Sequence, residues 1–444
     1  MITLKEKAIN SQSKMPRLTA AIKKTREMVE TCSESPLLRA IIIDKNGENT
    51  NKNAFTRKSA CNARTVICVI LLRIYISLQL MLDEYFEFEA ESEEIELEAT
   101  KQAFSEARKK INSAYIRSFA DMTGEIAANE GDFYTYLGMR VFVIDGSTAA
   151  LENTAALKKA FGCSGSAKNA ATASISICFD PIGGYIIDSQ IGRYGFSERS
   201  FAMAHIYRLV ELGLKGSLIL FDRGYPSKEF MAFLIDLGFH FVMRVRDKYD
   251  VRFDSVKNDQ WIAFAFEGKN YYVRVMKIRL ESGEIETLAT TLSAKALPIS
   301  KAAETYFIRW KVEVAYDMLK SKLQLENFSG KVKASVVQDF YATVYIANIV
   351  AFTAEEADKL VAENDLGKKL KYPRKANRNR VIRKVRNVFL DLINEKKDAK
   401  REKMLNKLIV KSAKHPVSIT PQRASSKREK PRNKRYHIGK KAVV

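Results

Sequence analysis

Two near-continuous apolar runs, MRVFVIDGS over residues 139–147 and SLILFDRGY over 217–225, constrain the fold most. β-branched and aromatic residues in runs of this length predict strands buried on both faces, at the centre of a sheet covered by helices. Each run ends in an aspartate with a glycine close behind: Asp145 before Gly146, and Asp222 two residues before Gly224. A carboxylate there lies at the rim of the sheet, in the crevice where α/β sheets bind ligands. Either aspartate alone is an ordinary turn residue. Two of them, followed by a third acid on a helix, make a carboxylate triad.

The third acid is Glu313. Residues 306–320 read YFIRWKVEVAYDMLK. At about 100° per residue, Tyr306, Arg309, Glu313 and Lys320 fall within about 60° of one another. Phe307, Ile308, Val312, Val314, Ala315, Met318 and Leu319 occupy the opposite arc, which is predicted to be buried. As a solvated face, the row would amount to an Arg309–Glu313 pair worth roughly a few tenths of a kcal/mol. Beside two strand-end aspartates, the same row supplies what is needed to hold a metal ion next to a phosphodiester. Oxygen-only sites suit Mg²⁺ or Mn²⁺ rather than zinc.

Between these blocks, ATASISICFD and GGYIIDSQIG predict a hairpin around residues 171–192, turning at Pro181, Gly183 and Gly184. A helix over 197–213 has Ser197 as its N-cap and Gly213 as its stop. The second aspartate strand, the helix SKEFMAFLIDLG and the strand FHFVMRVRD follow. The order of Asp strand, hairpin, helix, Asp strand, helix, strand, insertion and Glu helix fits a ribonuclease-H-like mixed sheet. About 50 residues separate Asp247 from the Glu helix, and their alternating pattern predicts a small antiparallel sheet over residues 248–298. Trp261 in it is either a core residue or a platform for a displaced base, such stacking being worth about 1–3 kcal/mol.

The sequence resembles DDE transposases of the insertion-sequence-four type, a family of bacterial cut-and-paste enzymes. The family's Tyr-x2-Arg-x3-Glu-x6-Lys signature is matched by Tyr306, Arg309, Glu313 and Lys320. Arg309-Trp310, ENFSG at 326–330, IDGS around Asp145 and DRGY around Asp222 are also similar to it, and the resemblance runs from about residue 54 to 355. It implies that Asp145, Asp222 and Glu313 are catalytic and hold two Mg²⁺ or Mn²⁺ ions. Tyr306, Arg309, Lys320 and Trp261 would contact DNA. The implied partners are double-stranded transposon ends and target DNA, engaged by a homodimer, and cleavage would pass through a DNA hairpin. Another ribonuclease-H-like metal nuclease shares the carboxylates but lacks the Tyr-Arg-Glu-Lys helix. A non-catalytic, transposase-derived DNA-binding protein is the alternative from a different class.

Charge leads to nucleic acid independently. The chain carries +22, and residues 365–444 hold 17 Lys and 10 Arg against six acids, a net +21. So concentrated a basic segment is an electrostatic footprint for polyanions. Residues 381–410 have helical periodicity, while SSKREKPRNKRYHIGKK has the composition of a segment that orders only on DNA. The expected organisation is a loosely ordered arm over 1–53, a helical DNA-binding domain over 54–135, the catalytic domain over 136–360 and the basic, partly helical segment over 361–444. The apolar run Thr65 to Leu82 is interrupted by Arg73, Ser77 and Gln79, so a buried helix is expected rather than a membrane span. Five cysteines without zinc spacing, four scattered histidines and no leader-like start predict a reducing, cytoplasmic setting with no membrane partner. No Walker A or dinucleotide fingerprint is present, so no nucleotide cofactor is expected.

Overall fold

The computed structural model describes residues 15–39, 41–44, 47–50, 54–55, 59–72, 78–93, 98–165, 169–279 and 283–420. They divide into two compact units. One comprises Gly124–Ala150 and Lys158–Ser321; the other comprises Met15–Thr123, Leu151–Leu157 and the chain from Lys322 onward.

The first unit is built on a mixed sheet. Its strands are β1 (Val141–Ala150), β2 (Ala170–Asp180), β3 (Tyr185–Arg193), β4 (Leu218–Phe221), β5 (His240–Val245), β6 (Asp259–Phe266), β7 (Lys269–Arg279) and β8 (Ile285–Thr290). Their order across the sheet is β3-β2-β1-β4-β5-β8-β7-β6, and a two-residue strand, Cys163–Ser164, also pairs with β2. Only β1–β4 and β4–β5 pair in parallel. Val141 to Ile144 and Leu218 to Phe221 are all at most 1% exposed, as their unbroken apolar runs require. Helices α1 (Glu198–Glu211) and α2 (Lys228–Asp236) make the crossovers into β4 and β5.

Local chemistry fixes the ends of these elements. The Asp180 carboxylate accepts the Ile182 and Gly183 N–H groups at 2.8 Å each, closing the β2–β3 turn. The Ser197 hydroxyl accepts the Ser200 N–H and caps α1. Gly213, at φ +72°, takes the left-handed conformation that stops the chain beyond it.

Two expectations need correction. The insertion is not a separate small sheet: β8 pairs antiparallel with β5, so the insertion extends the central sheet. The backbone groups along the outer edge of β5 are thereby satisfied rather than left open. Nor does β1 end at Asp145. It continues to Ala150 because the long β2 supplies antiparallel partners throughout, Ile177 to Asp145 and Ser176 to Gly146 among them.

The second unit is helical. Its axis is the helix Lys333–Asn364, against which helices Pro16–Glu30, Ala63–Leu72, Arg378–Asn394 and Asp398–Ala413 pack. Among the described residues it is the one helix long and apolar enough to cross a membrane, and 89% of that apolar window is buried. Arg108 holds its start, donating to Asp339 at 2.6 Å, Gln338 at 2.6 Å and Ser329 of the ENFSG run at 2.6 Å.

Residues 54–123 and 322–420 share this one unit, because the apolar faces of the basic helices are spent on its core: Val381, Val385, Phe389, Leu405 and Leu408 are buried there. Pro16–Glu30, expected in a loose arm, is a helix with Leu18, Ala21, Ile22 and Val29 buried. Its buried apolar residues are few but share one side. Of the apolar run Thr65 to Leu82, expected as a buried helix, the part up to Leu72 is buried in the helix Ala63–Leu72, residues 73–77 lie outside the described residues, and Leu80, in the helix Leu78–Glu93, is 52% exposed. The terminal basic run 425–441 lies outside the described residues.

Candidate active site

Asp145 and Asp222 are brought side by side by strand register. Val141, Phe142 and Val143 of β1 pair with Leu218, Ile219 and Leu220 of β4. Two residues further along each strand are the aspartates, on the same rim and the same face. The Asp145 carboxylate accepts the Gly146 N–H at 2.9 Å. That of Asp222 accepts the Arg223 N–H. Burial pushes the Asp145 carboxyl up to about 6; Arg309 and the Gly146 N–H oppose this, while Asp222 and Glu198 add to it.

The signature helix is irregular. It runs as an α-helix over Ile299–Phe307, a 3₁₀ turn over Ile308–Trp310, an α-helix over Lys311–Asp317 and a π turn over Met318–Lys322. The changes of pitch shift the faces away from a uniform 100° step. Ile308, Val312, Ala315 and Leu319 are buried as predicted, but Phe307 and Val314 are each 60% exposed and Met318 is only half-buried. Tyr306 and Arg309 are buried instead, at 4% and 6% exposure. Arg309 Nη1 lies 3.7 Å from Asp145 Oδ2, with its guanidinium over the Trp310 ring at 4.6 Å. Glu313 is exposed and makes no ion pair among the described residues. Lys320 donates to Ser147 Oγ at 2.7 Å and to the Thr148 carbonyl at 2.6 Å, just beyond Asp145 on β1.

The structure thus joins Asp145, Asp222 and Arg309, bonds Lys320 from its helix to β1 just beyond Asp145, and leaves Glu313 apart. Trp261, 47% exposed, is on β6, five strands from β1. Tyr272, 61% exposed, is its diagonal neighbour on β7, across from Ala263. Trp261 is therefore not a core residue.

Several residues at the site carry no signal in the sequence. The Tyr316 hydroxyl donates to the Asp145 main-chain carbonyl at 2.7 Å. Ser176 Oγ donates to the same carbonyl at 3.2 Å. Ser176 is backed by His205 Nε2 at 3.0 Å, and His205 Nδ1 by Asp188 at 2.6 Å. This Ser-His-Asp array is no nucleophile, because all three residues are buried; it braces the β1 main chain. Glu198 opens α1 with its carboxylate between Gly146 and Gly224. Its only visible hint is an acid in the first turn of the helix that follows the hairpin.

Hard oxygen donors and the surplus negative charge around Asp145 fit a divalent cation of the Mg²⁺ or Mn²⁺ kind. Among the described residues, no three acidic, histidine or cysteine side chains stand close enough together to hold one as placed. Glu313 is the expected member standing apart.

The family model for the transposase DDE domain matches residues 136–349. No curated protein matches the chain. Among solved structures, the chain is similar to a piggyBac transposase in a synaptic complex with hairpin DNA, at 11% identity and a TM-score of 0.43, covering 89% of this chain and 83% of that one. The family match supports a DDE transposase, with Asp145, Asp222 and Glu313 all inside the matched segment.

Proposed function

We propose that this chain is a DNA transposase of the insertion-sequence-four type, cutting at transposon ends and joining the freed 3′ ends to target DNA. The observation that carries this reading is the register of β1 and β4, which sets Asp145 beside Asp222 within the matched segment. The order β3-β2-β1-β4-β5, with the last three strands parallel, supports a ribonuclease-H-like catalytic sheet. Asp145, Asp222 and Glu313 would hold two Mg²⁺ or Mn²⁺ ions. The ions, when bound, supply Lewis-acid activation of a water or 3′-hydroxyl and neutralise the leaving oxygen. Arg309 neutralises the phosphate beside Asp145, and its planar fork suits two phosphate oxygens. Lys320 exchanges its β1 partners for a flanking phosphate, and the Tyr306 hydroxyl bonds a backbone oxygen near the cut. Trp261 stacks on a displaced base. The basic residues from Asp365 onward bind DNA phosphates in a salt-sensitive manner. Two copies of the chain pair across the transposon ends in the cytoplasm.

A duplex carrying the terminal repeat of the chain's own locus, incubated with Mg²⁺, tests this reading. Cleavage at the repeat boundary that disappears in Asp222→Ala, with binding retained, supports it. Binding without cleavage in the wild-type protein, with Mn²⁺ also tried, supports a non-catalytic DNA-binding derivative instead. The exposed Glu313 is the observation that favours this second reading.

A further inference from the structure

The connection Tyr194–Ser197 carries β3 into α1, and every residue from Arg193 to Ser200 is exposed. Two of them are aromatic: Tyr194 is 42% exposed and Phe196 is 49% exposed. Single exposed apolar residues are ordinary on any protein surface. Here two rings stand within three residues, with Arg193 before them and Arg199 behind. Neither arginine makes an ion pair among the described residues; Arg193 donates to the Lys159 carbonyl at 3.1 Å.

The rings are held rather than loose. The Tyr194 N–H donates to the Phe161 carbonyl at 2.6 Å, and the Phe196 N–H to the Arg193 carbonyl at 3.0 Å. Gly195, at φ +78°, supplies the left-handed residue that this tight turn needs. Ser197 closes the far end as the cap of α1. The Phe196 ring rests on Phe201, with centroids 4.6 Å apart. A turn fixed at both ends loses little freedom when a ligand meets its rings.

Glu198 places this turn beside the aspartates. A Cβ on Gly146 would lie 3.2 Å from Glu198 Oε1, and a Cβ on Gly224 would lie 3.2 Å from Oε2. These glycines follow Asp145 and Asp222 on their strands. Phe196 is two residues before Glu198, and two residues of chain span at most about 7 Å. The aromatic turn therefore borders the catalytic rim, whereas Trp261 is on β6, five strands from β1.

Rings beside cations suit unpaired nucleotides. A paired base hides its faces in the stack, and contacts to a duplex backbone call for cations and hydrogen-bond donors, not aromatic rings. An unpaired base offers a π-face to Tyr194 or Phe196, while its phosphates suit the two guanidinium groups. We propose that Tyr194 and Phe196 form a stacking platform for unpaired nucleotides of the DNA strand next to the Asp145–Asp222 rim, with Arg193 and Arg199 on the flanking phosphates. The inference rests on the reading of the chain as a DNA-cutting protein and adds a contact for unpaired bases apart from Trp261.

Fluorescence anisotropy of the full-length protein, without divalent metal, tests the platform on two labelled probes. One is a duplex with a short gap of unpaired thymidines; the other is the same duplex without the gap. The double variant Tyr194→Leu with Phe196→Leu keeps an apolar side chain on Phe201 but removes both rings. It is expected to bind gapped DNA about tenfold or more weakly. Its affinity for the closed duplex, supplied by the basic residues from Asp365 onward, should stay within about twofold of wild type. Wild-type protein needs no variant for the second measurement: 5-iododeoxyuridine placed in the gap and irradiated should crosslink to the peptide between Arg193 and Arg199. Unchanged affinity of the folded double variant for gapped DNA, an equal loss on both probes, or crosslinks at other peptides alone overturns the platform. Each of these leaves the transposase reading intact, since cleavage at the terminal repeat tests that separately. A wild-type protein that binds neither probe overturns both.

Discussion

The Tyr316 hydroxyl donates to the Asp145 main-chain carbonyl at 2.7 Å, tying the helix that carries Glu313 to the strand that carries the first aspartate. Ser176 reaches the same carbonyl from β2 at 3.2 Å. The β1 main chain is therefore braced from two elements at the residue whose carboxylate matters most.

Tyr316→Phe deletes one of these braces and little else. The expected loss of stability is about 0.5–1.5 kcal/mol, the net value of one hydrogen bond. Cleavage should fall further than stability, by about tenfold or more, because small errors in placing catalytic groups are costly. Urea unfolding and a cleavage assay on the same preparation check both. Unchanged cleavage with the expected stability loss would make the contact structural only.

Tyr306→Phe should act with opposite signs on stability and activity. The Tyr306 hydroxyl is buried with no partner among the described residues, beside a ring that is 4% exposed. An unsatisfied buried hydroxyl costs about 1–3 kcal/mol. Its removal should leave the urea midpoint unchanged or raised, while end cleavage drops. A lowered midpoint would show that the hydroxyl is bonded in solution.

Asp145 should give the metal-free protein a characteristic pH dependence. Its folded pKa is pushed up to about 6, chiefly by burial, from an ordinary value of 3.8. Between these values the folded state binds more protons than the unfolded state. Stability contributed by Asp145 is therefore lost as pH rises through this window and levels off above it. The loss is about 3 kcal/mol at most, from about two pK units at 1.4 kcal/mol each. In EDTA, Asp145→Asn should lack this slope between pH 4 and 6 and be the more stable protein at pH 7. Parallel wild-type and variant curves would contradict the shift.

The strands were legible because their signal is local. Val141 to Ile144 and Leu218 to Phe221 are apolar without interruption, and they are the buried parallel pair. Ser197 and Gly213 mark the ends of the intervening helix by chemistry that any sequence displays. The extension of β1 past Asp145 was hidden because it depends on the length of β2, a partner further along the chain. The exposure of Phe307 and Val314 was hidden because a helical wheel assumes one pitch, and this helix uses three. Glu198 and Tyr316 reach the site through tertiary placement alone, which no spacing rule encodes. The basic helices near the chain end read correctly as charged, but their buried faces commit them to a shared core rather than to a separate segment.

Glu313 is the most direct test of the catalytic triad, because it alone of the three acids stands exposed and apart from the others in this structure. The decisive measurement compares wild type with Glu313→Ala on the terminal-repeat duplex in Mg²⁺, with melting temperature recorded for both. Since the side chain faces solvent, melting should shift little. Cleavage should fall by at least about a thousandfold, as expected for loss of a group that holds the reacting centre. Wild-type cleavage in Glu313→Ala would contradict the triad and remove this residue from the site.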